Sequence, residues 1–248
     1  MEEKELVKQF IELGVSLIEC GSEIARVETG ISRILASYQY RDISVFALPA
    51  YMIITVTLKN DEVFTISKAT GNHSIDFDRF ASLNQLLRDL EIDHLKAIEI
   101  EKKIAAIRSV EHRKSLQVIG YGLGACGFTG IFGGSLNDCV CAFFIGLAVY
   151  GINYFLVQLK INRLVRTFVE AAFIALGANS LGYLGWCDNL DTLQIGTLML
   201  LVPGLAITNS LRDFIDEDYL SGISRIIEAL MIAIAIALGV GLVMGVLK

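Results

Sequence analysis

The chain has 248 residues, of which 54% are hydrophobic and 19% charged, with a formal net charge of −6 and a mean hydropathy of +0.57. No stripe of Lys and Arg with interleaved aromatics is present, and the acidic balance argues against a nucleic-acid partner. The average conceals a split: residues to about Ser115 are charged and mixed, while the remainder is mostly apolar.

The N-terminus, MEEKELVKQF, is charged and amphipathic, and so does not read as a secretory signal peptide. Glu5–Cys20 carries Leu6, Phe10, Leu13 and Leu17 at helical spacing. Gly21-Ser22 interrupts it, with Ser22 as the expected N-cap of a second helix. Ile24, Val27, Ile31, Ile34, Leu35 and Tyr38 continue the apolar stripe, and Arg26, Glu28 and Arg33 fall largely off it. The period then changes. Asp42–Leu48, Tyr51–Leu58 and Glu62–Ser67 are rich in Ile, Val, Phe and Thr, predicting two or three strands with the second pair a hairpin. Asp76–Leu90 and Ile92–Val110 return to helix, and Val110–Lys114 is a short basic connector. Residues 1–114 thus form an α+β domain. Glu23, Arg26, Glu28 and Arg33, with His73, Asp76, Asp78 and Arg79, are its only constellation with acid–base character, and no spacing forces them together. No nucleophile elbow, H-E-x-x-H or P-loop is present, so a structural or regulatory domain is favoured over an enzyme.

Residues 115–248 contain five apolar segments, near 116–132, 139–159, 165–184, 193–211 and 223–247. Each approaches the roughly 20 residues that cross a bilayer core. The expected fold class is an α-helical integral membrane protein of about five transmembrane helices with an N-terminal cytoplasmic α+β domain. His112, Arg113 and Lys114, then Lys160, Arg163 and Arg166, then Arg212–Arg225 mark cytoplasmic connections; Trp186–Asp191 has no basic residue and falls outside, as does the C-terminus. Cys20, Cys126, Cys139, Cys141 and Cys187 include no C-x-x-C pair, and read as small buried hydrophobes rather than metal ligands or a disulfide. No metal and no cofactor are expected. In the first span, Gly120/Gly124 and Gly130/Gly134 form G-x-x-x-G pairs that suit close helix packing. The G-x-G-x-x-G at Gly122–Gly127 follows no strand and carries no weight.

Met199–Glu228 is where function concentrates. Pro203-Gly204 breaks the fourth apolar run, which ends in Thr208, Asn209, Ser210, Arg212 and Asp213. An acidic turn and a second long run with Ser221, Arg225 and Glu228 follow. Opened backbone at membrane depth is tolerated only in protein or beside water, and charges at apolar borders mark solute or ion paths. Pro203, Gly204, Thr208, Asn209, Arg212 and Arg225 are therefore the candidate substrate-binding residues, with arginine forks suited to a carboxylate. Asp138, Glu170, Asp213 and Glu228 are the candidate proton carriers. The plainer readings are an N-terminal helix charge for Asp138, an ion pair with Arg166 for Glu170, and a salt-bridge cluster stapling the loop for the rest.

LVPGLAITNSLRD (Leu201–Asp213) with SGISRIIEA (Ser221–Ala229), GSEIARVETGISRI (Gly21–Ile34) with VFALP (Val45–Pro49), and FGGSLND (Phe132–Asp138) together resemble the threonine/serine exporter family. The resemblance covers nearly the whole chain in the family's order. It implies a secondary-active inner-membrane exporter of small polar carboxylates, amino acids or dicarboxylates such as succinate. Full-length members carry a second membrane half, so this chain is similar to the split form, in which a separate small membrane subunit supplies the other half. A homo-oligomer remains open. The alternative is a membrane-anchored, hydrolase-like enzyme with the soluble domain as its active part.

Overall fold

The computed structural model describes residues 2–71, 76–107 and 114–247. His73, His112, Arg113 and Lys248, on which some of the sequence reading rests, lie outside the described residues. The chain is mostly helical, with one small sheet, and divides into two units: Met1–Glu111 with Thr208–Arg225, and His112–Ile207 with Ile226–Lys248.

The first unit opens with α1 (Glu2–Glu19) and α2 (Ile24–Ser37), followed by β1 (Arg41–Leu48), β2 (Tyr51–Thr57) and β3 (Val63–Ala69), then α3 (Phe77–Ile92) and α4 (Ala97–Ile107). The strands form an antiparallel meander, β1-β2-β3, with Leu48 opposite Tyr51 and Thr57 opposite Val63. Alternation decides which face is covered. Met52, Ile54 and Val56 are wholly buried against Phe10, Leu13 and Leu17 of α1 and Ile31 and Ile34 of α2. All three predicted strands exist, and the apolar stripe read for α2 is its buried face; α1 is instead buried nearly all round, with Val7, Ile11, Val15 and Ile18 inside beside Phe10, Leu13 and Leu17, and Leu6 only half-buried.

The turn between α1 and α2 departs from expectation. Gly21 adopts φ +89°, and its N–H and that of Ser22 bond back to Ile18 and Leu17 carbonyls, closing α1 with a left-handed glycine. Ser22 is thereby spent on the end of α1, and Glu23 rather than Ser22 is the N-cap of α2, with no side-chain capping bond.

The second unit contains α5 (Lys114–Ile131), α6 (Leu136–Gln158), α7 (Arg163–Tyr183) and α8 (Leu190–Leu198), together with parts of α9 (Gly204–Ile215) and α10 (Tyr219–Val246). Three of these helices, α6, α7 and α10, are long and apolar enough to cross a membrane. Leu230, Ile234, Leu238 and Leu242 repeat every four residues along α10 and are exposed, which in water would be an unsupported apolar stripe. Small residues set the internal packing. A Cβ on Gly146 would lie 2.6 Å from the Tyr121 carbonyl, one on Gly239 2.5 Å from that of Phe168, and one on Gly196 2.4 Å from Thr129 Cα. The expected G-x-x-x-G contacts are only partly these: Gly120 meets nothing, whereas Gly124 and Gly134 are close to Leu200 and Thr129.

The fourth apolar segment is broken where proline predicts. α8 ends at Leu198 and α9 starts at Gly204, because Pro203 has no N–H to continue a helix. Its carbonyl instead accepts the first bond of α9, from Ile207 N at 3.1 Å.

Candidate functional site

The first unit brings three separated sequence stretches to one place. The α1–α2 turn presents the Gly21 and Ser22 carbonyls and the Glu23 carboxylate. Asn209 Nδ2 donates to Gly21 O at 3.3 Å, Arg225 Nη2 to Ser22 O at 2.9 Å, and Arg212 Nη1 to Glu23 Oε2 at 3.2 Å. Arg225 Nε lies 3.0 Å from Asp213 Oδ2, within ion-pair distance though not aligned as a hydrogen bond. Arg225 and Asp213 side chains are only 10% and 2% exposed, so this pair is dry, whereas Arg212 is 62% exposed and its pair with Glu23 is screened. We call this arrangement the clasp.

Its helical frame explains the geometry. Ser210 Oγ donates to Gly222 O at 2.8 Å, and a Cβ on Gly222 would stand 2.8 Å from Phe214, so α9 and the start of α10 are held tightly together. Asp218 accepts from Ser221 N and caps α10, while Glu217 takes φ +64° in the acidic turn. Burial pushes the Asp213 carboxyl up to about 6, against the opposing pull of Arg225 and with help from Asp218. Glu28, in the Arg26-Val27-Glu28 run, accepts from Ala47 N at 2.7 Å, and burial raises its carboxyl despite that donor.

The remaining candidates disperse. Pro203 and Gly204 lie at the α8–α9 break, and Thr208 is in α9. Glu228 is three residues beyond Arg225 but pairs with Arg163 at 2.5 Å within the second unit. Asp138 is fully buried at the head of α6. It forms a capping box with Ser135 and accepts from Asp188 N at 2.8 Å and Asn189 N at 3.1 Å. Its oxygens therefore already meet three main-chain donors. Glu170 is 3% exposed in α7, and its Oε1 meets no hydrogen-bond donor among the described residues; nor does the Nε of Arg166 find an acceptor there. Of the acid–base constellation, Glu23 joins the clasp, Asp76 caps α3 by accepting from Arg79 N, and Arg79 stands 3.7 Å from Glu19. These groups do separate structural work. Sequence reasoning missed Gly21, Ser22 and Glu23 as clasp members and Arg163 as the partner of Glu228. The run GSEIARVETG was the only hint of the former.

The family described as "Putative threonine/serine exporter" matches residues 9–247. The chain belongs to this family. That makes it a member of a transporter family rather than an enzyme family, and with its long apolar helices it belongs in a membrane. Two relatives carry the name "Probable succinate transporter subunit YjjP". The one from Klebsiella aerogenes is 22% identical over 98% of this chain and 94% of its own length. The one from Escherichia coli K12 is 21% identical over 96% and 93%. No solved structure matches the chain.

Proposed function

We propose that this chain is one subunit of a secondary-active inner-membrane exporter of small carboxylates, either threonine and serine or dicarboxylates such as succinate, working with a second small membrane subunit. The family match across residues 9–247 carries the reading, and relatives named as transporter subunits at near-full coverage support it. In this reading five segments cross the bilayer, the first unit's α+β part lies in the cytoplasm and the C-terminus lies outside.

Roles divide by what each side chain already holds. Arg225 and Asp213 hold the α1–α2 turn and each other, so their first duty is to fix α9 and α10 against that turn. The break at Pro203 and Gly204 ends the fourth apolar run, and Thr208, Asn209 and Arg212 of α9 are the side chains that meet the solute. Glu170 carries the coupling proton: like Asp213 it is a buried carboxylate with an oxygen that meets no hydrogen-bond donor among the described residues, and unlike Asp213 it lies in one of the long apolar helices. Asp138 and Glu228 are engaged in structural bonds.

The test is efflux from cells lacking this chain and the companion subunit, loaded with threonine-containing dipeptides or driven to make succinate. Export returns only when both proteins are restored, and Glu170→Gln abolishes it at equal membrane abundance. Normal efflux without either protein refutes the exporter, and undiminished export by Glu170→Gln refutes the proton role.

A further inference from the structure

A cleft of about 210 Å³ opens between α2 and α3 of the first unit. Gly30 lies at the closest approach: a Cβ there would stand 2.8 Å from Leu87 Cδ1, and the leucine side chain would have to shift to admit it. Arg26 and Arg33 lie at i and i+7 on α2, on one face with Gly30, and are separated by about 10.5 Å of helix rise. Arg88 faces them from α3.

Three guanidinium groups meet one carboxylate in this cleft. Glu91 Oε1 is 3.6 Å from Arg33 Nε, a loose pair, and Arg88 Nη2 donates to the neutral Gln85 Oε1. Arg26 has no hydrogen-bond or ion-pair partner among the described residues. The lining therefore carries a surplus of two positive charges over a floor that includes buried Val27 and Leu87. An occupant that fits has negative charge at two places joined by a short apolar body. The volume falls below the roughly 300–1,000 Å³ of pockets that take drug-sized ligands. No aromatic side chain lines the cleft, so nothing stacks a nucleobase.

We propose that the α2–α3 cleft binds a small aliphatic dicarboxylate, held by Arg26, Arg33 and Arg88 over the Val27–Leu87 floor. The site lies outside the candidate transport residues and stands whether or not the chain moves that solute. It touches the clasp at one point. Ser22 lines the cleft, and its carbonyl accepts from Arg225, so a bound dianion rests against the turn that Arg225 grips.

The experiment is calorimetric titration of the purified full chain in detergent with succinate, butyrate and inorganic phosphate at constant ionic strength. Succinate binds, butyrate binds at least about tenfold more weakly, and phosphate, lacking an apolar body, is also weaker. Arg26→Gln and Arg88→Gln each weaken succinate about fivefold, as loss of one exposed charge contact predicts. Glu91→Gln removes the competing carboxylate and tightens binding by a similar factor, which a merely structural effect would not produce. Glu170→Gln leaves this binding unchanged. The assignment is overturned if succinate does not bind, if phosphate matches it, if the arginine variants bind like the parent, or if Glu91→Gln fails to tighten.

Discussion

Arg225→Ala tests the clasp most directly. It strands the Asp213 carboxylate, 2% exposed, without its cation, and takes the donor from the Ser22 carbonyl. Removing one partner of a buried pair costs about 3–5 kcal/mol. For a chain of this size that is a fall of about 6–20 °C in the melting temperature of the first unit. Because Asp213 already sits at about 6, the variant relieves part of the cost by taking up a proton, so the drop falls at the lower end. Arg225→Met with Asp213→Leu removes both charges at similar volume, and is left with the lost Ser22 bond alone, about 1 kcal/mol. Thermal melts of the full chain in detergent, at matched lipid content and about neutral pH, separate the three proteins. If Arg225→Ala melts with the parent, or the double variant melts as low as the single one, the pair is not a dry, mutually dependent contact and the argument fails. Export adds a second axis. A double variant that is stable and active makes Arg225 a staple, whereas one that is stable and inactive gives it a direct role in moving solute.

Asp213 also sets a pH dependence. Its folded value of about 6 stands above the ordinary 3.8, so the folded chain holds that proton more tightly than the unfolded one. The contribution is fully present below about 4 and is lost as pH rises through 6, to a limit of about 3 kcal/mol; Asp213→Asn flattens that part of a stability profile between about pH 4 and 6. Asp138→Ala costs about 3 kcal/mol, combining a lost cap with the Asp188 and Asn189 N–H groups left unpaired, while Asp138→Asn keeps one acceptor oxygen and costs less. An Asp138→Ala protein with an unchanged melt and no export would reverse the structural assignment. Gly196→Ala places a Cβ 2.3 Å from Thr129 Oγ1 and 2.4 Å from its Cα, and overpacking of about 1–3 kcal/mol lowers the melt of the second unit.

Local rules made much of the fold legible. Period 2 against period 3.6 separated the strands from α1–α4, and the absent N–H of Pro203 located the α8–α9 break. Where it fell short, the deciding term was tertiary. Ser22 has the chemistry of an N-cap, yet the left-handed Gly21 turns its N–H back onto α1. Gly120 and Gly124 have the letters of a packing motif, but Gly122, Gly146, Gly196 and Gly239 are the close-approach positions, because the face a helix presents depends on where its neighbours stand. Arg225 and Glu228, three apart on one helix, look like a local pair, yet each found an opposite charge elsewhere that its neighbour could not supply.

The clasp shows why such a site resists reading from sequence. Its donors are specific side chains, Asn209, Arg212 and Arg225, and their types announced a polar site. Two of its three acceptors on the turn are main-chain carbonyls, of Gly21 and Ser22, about 190 to 200 residues away in the chain. Every residue carries such a carbonyl, so nothing in the identity of Ser22 marks it as the one Arg225 will hold. What selects it is geometry: φ +89° at Gly21 ends α1 abruptly and leaves the Ser22 oxygen without a helical partner. An arginine there donates from Nη2 to an orphan acceptor while its Nε holds positive charge 3.0 Å from a buried carboxylate, and lysine's single ammonium cannot serve both directions at once. Arg225→Lys therefore keeps the charge beside Asp213 but loses one of the two contacts. It should melt between the parent and Arg225→Ala, and equality with the parent would show that the fork is not what the turn requires.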